Sequence, residues 1–272
     1  MKLSPAIVRR GKIIRRYRRC AIDCRGYFAT EILSLSDYFG VFQSLLDPGK
    51  TFWFRGHSNL EYRLAPYALR YDTEEMRARA LGLVAEMKRY LGMKLARPPE
   101  PEDWLGWLQV AQHHGLPTRL LDWTQNAAVA LFFACWTRPD NDGLVVILNP
   151  NELNQRVNPK LPRILSYELD AGIIDPYSTL GATVNRRGKH TIALNPNWNN
   201  DRIALQQGCF TLHGSRNFEL DSNQASSLLY VPILKEHKNT LLNELERVGI
   251  GEMFIFPEPE HVCSHLRRTA KL

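Results

Sequence analysis

Apolar side chains recur at Ile32, Leu35, Phe39, Phe42 and Leu45/Leu46 within residues 27–46, the spacing of one helix face. Ser34 or Ser36 suits the cap of this helix, and Pro48 with Gly49 ends it. The aromatic run Thr51–Gly56 then predicts a buried strand with Arg55 near its exit. A long helix is predicted over Tyr71–Leu95, opening near Asp72 and Thr73 with Glu74, Glu75 and Met76 in its first turn. The PPEPED run breaks the chain before a second helix over Trp104–His114, whose apolar positions are Leu105, Leu108 and Ala111. A third helix runs from Thr124 or Gln125 to Cys135. Branched residues make Leu144–Pro150 a strand.

The stretch 151–200 is rich in Asn, Pro and Arg, and its strand-like cores are Ile164–Glu168 and His190–Pro196. Further strand patterns lie at Phe210–Gly214 and Leu228–Leu234. Lys238–Val248 reads as a helix stopped by Gly249, and Pro257 precedes a short terminal helix. There is no internal repeat. Early helices and late strands predict a single α+β domain over 27–272, with a mixed or antiparallel sheet, behind an arm at 1–26.

Charge sharpens that division. Residues 2–19 carry Lys2, Arg9, Arg10, Lys12, Arg15, Arg16, Arg18 and Arg19 with no acid among them. Against a total of +7, the rest of the chain therefore stands at −1. Such an arm suits salt-sensitive contact with nucleic-acid phosphates, or is simply a solvated terminus. The apolar fraction of 44% and charged fraction of 23% are those of an ordinary globular protein. The longest apolar stretch, Ala127–Trp136, is too short to cross a bilayer, and the basic start lacks the apolar core of a secretory signal. Cys20, Cys24, Cys135, Cys209 and Cys263 form an odd, scattered set that completes no metal site, the pattern of reduced thiols in a cytoplasmic protein. The pattern leaves the oligomeric state open.

Two dense polar clusters carry the candidate chemistry. In FWFRGHSNLEYRLAP, Arg55 offers fixed donors for phosphate or carboxylate, and Gly56 allows close approach of backbone. His57, Tyr62, Arg63 and Arg70 follow closely. In QVAQHHGLPTRLLDWTQN, a Gly-Leu-Pro turn leads into Thr118, Arg119, Asp122, Trp123, Thr124 and Asn126. His113 and His114 point about a hundred degrees apart on a helix, so the two together make a poor metal pair. Asp122 lies three residues after Arg119 and would pair with it on a helical turn, orienting the guanidinium or locking the bend. Trp123 fills the core or stacks on a base. Asp122, Thr124 and Asn126 also suit helix caps.

A third patch sets Arg202, Gln206 and Gln207 ahead of Gly208. Cys209 and His213, four residues apart on a strand, stand about 13 Å from one another, too far for a dyad. No GxSxG, HExxH or GxxxxGK occurs, which removes the common hydrolase and triphosphatase motifs.

These residues resemble the FRG domain family, named for a phenylalanine–arginine–glycine signature. The resemblance rests on FWFRGHSNLEYRLAPYALR at 52–70, QHHGLPTRLLDWTQNAAVALFFA at 112–134, a strand at Asp142–Leu148 and a late segment from Arg202 to His213. It implies a bacterial or phage-associated protein of the kind found among mobile-element and antiviral-defence components. More distantly the chain is similar to the ADP-ribosyltransferase fold. That resemblance implies NAD as ligand, Arg55 as its early-strand anchor, and Tyr62 or Trp123 in an aromatic wall, with Gln206 and Gln207 where a glutamate usually stands. Glu168, Glu219 and Asp122 are the alternative acids. The expected catalytic pocket joins Arg55, His114, Arg119, Asp122 and Gln207. Gly56, Tyr62, Arg70, Thr118, Trp123, Thr124 and Asn126 line the expected NAD site. A nucleotide or nucleic-acid binding module without catalysis, or a protein-interaction domain, is the alternative.

Overall fold

The computed structural model describes residues 31–160, 163–178, 190–196, 201–214, 219–220 and 228–270. The basic arm, Cys20, Cys24 and residues 27–30 of the first expected helix lie outside them. Seven strands form one sheet: β1 (Trp53–His57), β2 (Leu120–Thr124), β3 (Gly143–Leu148), β4 (Leu165–Ser166), β5 (Ile192–Asn195), β6 (Gly208–Leu212) and β7 (Leu229–Ile233). Their spatial order is β4-β5-β6-β2-β1-β3-β7, and only the β4–β5 pairing is parallel. The helices are α1 (Leu35–Leu45), α2 (Glu74–Leu91), α3 (Trp104–His113), α4 (Ala127–Trp136) and α5 (Pro150–Val157). They continue as α6 (Tyr167–Ile174), α7 (Asp201–Leu205), α8 (Lys238–Arg247), α9 (Glu252–Ile255) and α10 (Pro259–Thr269). The result is the expected single α+β domain with a mixed sheet.

Strand alternation divides the core. On one face, Phe54, Val145, Ile147, Val231 and Ile233 pack with α1, α4 and α8. On the same face, Leu120, Ile192, Leu194, Phe210 and Leu212 pack with α2 and α3. The other face carries Trp53, Leu121, Trp123, Val146, Cys209 and Tyr230. The two helical groups meet above a weak seam. β2 pairs with β6 from Leu120 to Thr124 and β1 with β3 from Trp53 to His57, but β1 meets β2 only at Phe54 and Thr124.

Helix α4 closes that seam from one side. A Cβ on Gly56 would collide with the Ala130 carbonyl and stand 2.6 Å from the Ala134 nitrogen, so glycine lets α4 rest directly on β1. Beyond the end of α4, the buried Lys238 ammonium donates to the carbonyls of Ser58, Thr137 and Arg138 at 2.8, 3.4 and 3.2 Å. A buried cation satisfied by three carbonyls ties α8 to the ends of β1 and α4.

Most helix signals operate locally. Ser34 and Asp37 form a capping box on α1, Thr73 accepts from Met76 N at the start of α2, and Gly249 ends α8 region at φ +84°. Four expectations are corrected. Phe39 is 41% exposed while Tyr38 is fully buried, its hydroxyl donating to Ala127 O at 2.8 Å, so Tyr38 takes the core place expected of Phe39, whereas Leu35, Phe42 and Leu46 pack inward as expected. Leu120–Thr124 is a strand and not a helical turn. The expected strand at Ile164–Glu168 shrinks to Leu165–Ser166 because α6 begins at Tyr167. Helix α5, capped by Asn149, occupies the start of the Asn-, Pro- and Arg-rich stretch where only strand-like cores were expected.

Candidate functional site

At the C-terminal end of α3, Gly115 takes φ +79° and Leu116 N donates to Ala111 O at 2.9 Å, so the chain reverses sharply. It returns as β2, where alternation turns Asp122 toward α3 and turns Leu121 and Trp123 to the opposite face. Gln112 Nε2 donates to both Asp122 carboxylate oxygens, at 3.0 and 2.9 Å, and to Leu120 O at 3.3 Å. The Thr118 hydroxyl donates to Gln112 Oε1 and accepts from Leu120 N at 3.1 Å. The carboxylate is thus held by a relay that begins inside the turn, while its own side chain stays 59% exposed.

Arg55 reaches the same point from β1. Its Nη1 donates to Asp122 O at 2.6 Å and stands 4.0 Å from Asp122 Oδ2, and its Nε donates to His57 Nε2 at 3.0 Å. That last bond requires a lone pair on Nε2, so His57 is neutral with its proton on Nδ1, a buried atom without a hydrogen-bond partner among the described residues. Burial, reinforced by the charges of Arg55 and Arg70, pushes the His57 pKa well below its ordinary value. Burial lowers Arg55 itself to about 10, opposed by Asp122 and reinforced by Arg70, so the guanidinium remains charged at neutral pH. Arg70 follows the short turn Tyr67–Leu69, anchored by its Nε on Ala65 O at 2.9 Å.

These groups border a cavity of about 460 Å³ over the β1–β2 seam, between α3 and α4. Arg55, Arg70 and Arg202 supply its positive groups, His113 lines it with a pKa that burial lowers, and Asp122 is its one carboxylate among the described residues. Tyr67, Phe133 and Phe210 give it aromatic surface, and Gln109, Gln112 and Gln206 contribute amides. Arg202 also pairs with Glu258 at 3.4 Å and lies over the Phe256 ring. Gln206 Nε2 donates to Ile255 O at 2.8 Å, which ties this wall to α9. A pocket of this size with a few convergent polar groups has the character of a small-molecule site.

Of the residues singled out from the sequence, Arg55, Gly56, Arg70, Asp122, Trp123 and Thr124 line the cavity, joined by Arg202 and Gln206 of the third patch. Their parts differ. Gly56 gives its side-chain space to α4. Trp123 is 3% exposed and donates through Nε1 to Thr211 Oγ1 at 3.0 Å, so its ring belongs to the core. The Thr124 hydroxyl donates to Gln206 O at 2.6 Å and accepts from Asn126 N at 2.9 Å, and Asn126 caps α4 through Ala128 N and Val129 N.

The remaining residues stand elsewhere. Arg119 does not pair with Asp122: on extended chain, residues three apart face opposite ways, and its Nη2 donates instead to Tyr177 O inside the core. Thr118 is buried beneath the relay it starts. His114 is the exposed C-cap of α3, whereas His113 faces the cavity. Gln207 occupies a turn at φ +46° with its side chain exposed, and its carbonyl accepts from Gln125 N at 3.0 Å; Gln206 is the neighbour that lines the wall. Tyr62 lies outside the cavity, accepting from Arg138 Nε at 2.7 Å. Of the alternative acids, Glu219 pairs with Arg63 at 2.8 Å, Glu168 is exposed on α6, and Asp122 alone reaches the cavity.

Gln109, Gln112, His113 and Phe210 were not singled out for the site. Gln109, Gln112 and His113 stand at i, i+3 and i+4 on α3, a polar stripe on an otherwise apolar helix, and that spacing is the signal that locates them. Cys135 and Cys209 are buried, with burial pushing the first thiol up to about 12 and the second well above its usual range. Neither suits a nucleophile. Among the described residues no group of three or more metal-ligating side chains gathers, and no helix is long and apolar enough to cross a membrane.

The family model of the FRG domain matches residues 50–143, and no curated protein or solved structure matches the chain. The matched span runs from β1 to the start of β3 and contains Arg55, Arg70, α3 and Asp122. Arg202, Gln206 and Phe210 complete the cavity from outside it.

Proposed function

We propose that this cavity binds NAD and that the protein is an NAD-dependent ADP-ribosyltransferase or NAD glycohydrolase. The observation that carries this reading is the convergence of two guanidiniums, an aromatic wall and a clamped carboxylate in one cavity. Arg55 and Arg70 suit a diphosphate, since a guanidinium presents planar paired donors to phosphate oxygens. Tyr67 and Phe133 supply aromatic surface for the rings of a dinucleotide.

In such a reaction the bond between the ribose carbon and the nicotinamide nitrogen breaks, and its electron pair leaves with nicotinamide. Positive charge then develops on the ribose, and Asp122, fixed by Gln112 before the substrate arrives, is the group able to stabilise it. Water or an acceptor nucleophile completes the carbon's valence and releases a proton.

The test is nicotinamide release from NAD by the full chain, alongside direct NAD binding. Asp122→Asn keeps the size of the side chain, and turnover should fall about 100-fold while affinity changes by less than about threefold. Binding without release in the wild type would instead assign a nucleotide-binding module, and no binding at millimolar NAD would reject the reading altogether. A role for NAD chemistry in antiviral defence, and nucleic acid held by residues 2–19, belong to the same proposal as its setting. Shortening the salt slope of nucleic-acid binding by removal of the arm would support the latter.

A further inference from the structure

Two glutamines stand one helical turn apart on the cavity face of α3, and their amides are in opposite conditions. Gln112 is fully engaged, accepting from Thr118 and donating to Asp122 and Leu120. Gln109 is 3% exposed, lines the cavity, and its side-chain oxygen is buried with no hydrogen-bond partner among the described residues. Among the described residues, nothing in the local fold accounts for a glutamine there. Its helix neighbours Leu105, Trp107, Leu108 and Ala111 are buried apolar residues, and a leucine would fill the position without leaving a polar atom to satisfy. A buried amide acceptor is tolerated when a partner arrives from outside the chain, and Gln109 borders the cavity from which one can come.

We infer that Gln109 is a ligand-reading residue, whose carbonyl accepts a hydrogen bond from an N–H on the planar ring portion of the bound molecule. The chemical class is an amide- or amine-bearing aromatic ring, such as a carboxamide or an exocyclic amine. This assignment deepens the NAD reading and rests on it, because NAD carries one N–H donor of each kind. Arg55 and Arg70 take the charged part of the ligand, while Gln109 selects among rings that have the same shape and different edges. A site built around a hydrogen bond rejects an isostere lacking the donor far more strongly than an apolar pocket does.

The experiment compares wild type with Gln109→Leu in the full chain by calorimetric titration and thermal melting. The probes are NAD, its analogue with a carboxylate in place of the carboxamide, and its analogue with hypoxanthine in place of adenine. Nicotinamide, nicotinate, adenine and hypoxanthine serve as separate fragments. Wild type should prefer NAD over one of the two analogues by about tenfold or more, and Gln109→Leu should bind NAD correspondingly more weakly and lose the preference. The free variant should melt at the same temperature or higher, because it no longer buries an unpartnered carbonyl.

A lower melting temperature with unchanged preference would make Gln109 structural and overturn the inference. Equal NAD affinity in both proteins would overturn it while leaving the NAD reading standing. If NAD fails to bind but adenine or nicotinamide still distinguishes wild type from variant, the dinucleotide reading falls and the Gln109 assignment stands. If no probe distinguishes them, the assignment falls as well.

Discussion

Arg55 and Arg119 are both drawn in by burial, which lowers each to about 10, yet they stand in unlike regions of the molecule. Around Arg119 there is only packed interior. The guanidinium is spent on the Tyr177 carbonyl, its Nε has no partner among the described residues, and the cavity lies elsewhere. Around Arg55 the structure leaves space, a carboxylate and a second arginine, with donors already aimed by Asp122 O and His57. A perturbed titration is therefore shared by scaffold and site. What separates them is whether the charged group has room in front of it and a counter-charge that is itself positioned.

The largest effect is expected next to Arg55, at the glycine that belongs to the scaffold. Gly56→Ala drives a methyl group into the backbone of α4, and urea denaturation should show a loss of about 3 kcal/mol. A loss below about 1 kcal/mol would mean that α4 shifts freely and that the close contact is incidental. The two arginines then give opposite signatures. Arg119→Leu should cost about 2–3 kcal/mol in stability through the abandoned Tyr177 carbonyl and leave NAD affinity within about twofold. Arg55→Leu should cost less stability and weaken NAD binding about thirtyfold or more. The reverse pattern would exchange their roles.

The smallest effect concerns His57. The unfolded chain takes up a proton there as pH falls through about 6.5, and the folded chain, with its depressed pKa, does not. The unfolded state then binds more protons, so stability falls below that pH by up to about 1.4 kcal/mol per unit until the folded pKa is reached. His57→Gln still offers Arg55 an acceptor and removes this titration. Its melting temperature should decline less than that of wild type between pH 7 and 5.5, and parallel declines would show that folding leaves the His57 pKa unshifted.

Much of this architecture follows from short-range pattern. The phenylalanine, arginine and glycine of the signature serve three different neighbours, because alternation sends Phe54 into the core beneath α4 and Arg55 to the seam while Gly56 touches the helix. Such a division is readable once the strand is known, and β1 was legible from its aromatic run. β2 was not, since Pro117 and the polar residues around Leu120 and Leu121 resemble a bend, and only pairing with β6 makes them a strand. That one misreading moved Arg119 toward Asp122. The choice of His114 over His113, and of Gln207 over Gln206, turned on single-residue phase at a helix end and a turn, where tertiary contacts decide which neighbour faces inward.

The seam between β1 and β2 also has a mechanical side. A sheet whose halves share one register pair carries little tension across that line through its ladder. The strength of the joint comes from α4, which leaves the end of β2 and lies flat on β1 at Gly56, so that the two halves are overlapped like boards under a common plate. Pulled apart, such a joint slips as a unit instead of unzipping residue by residue.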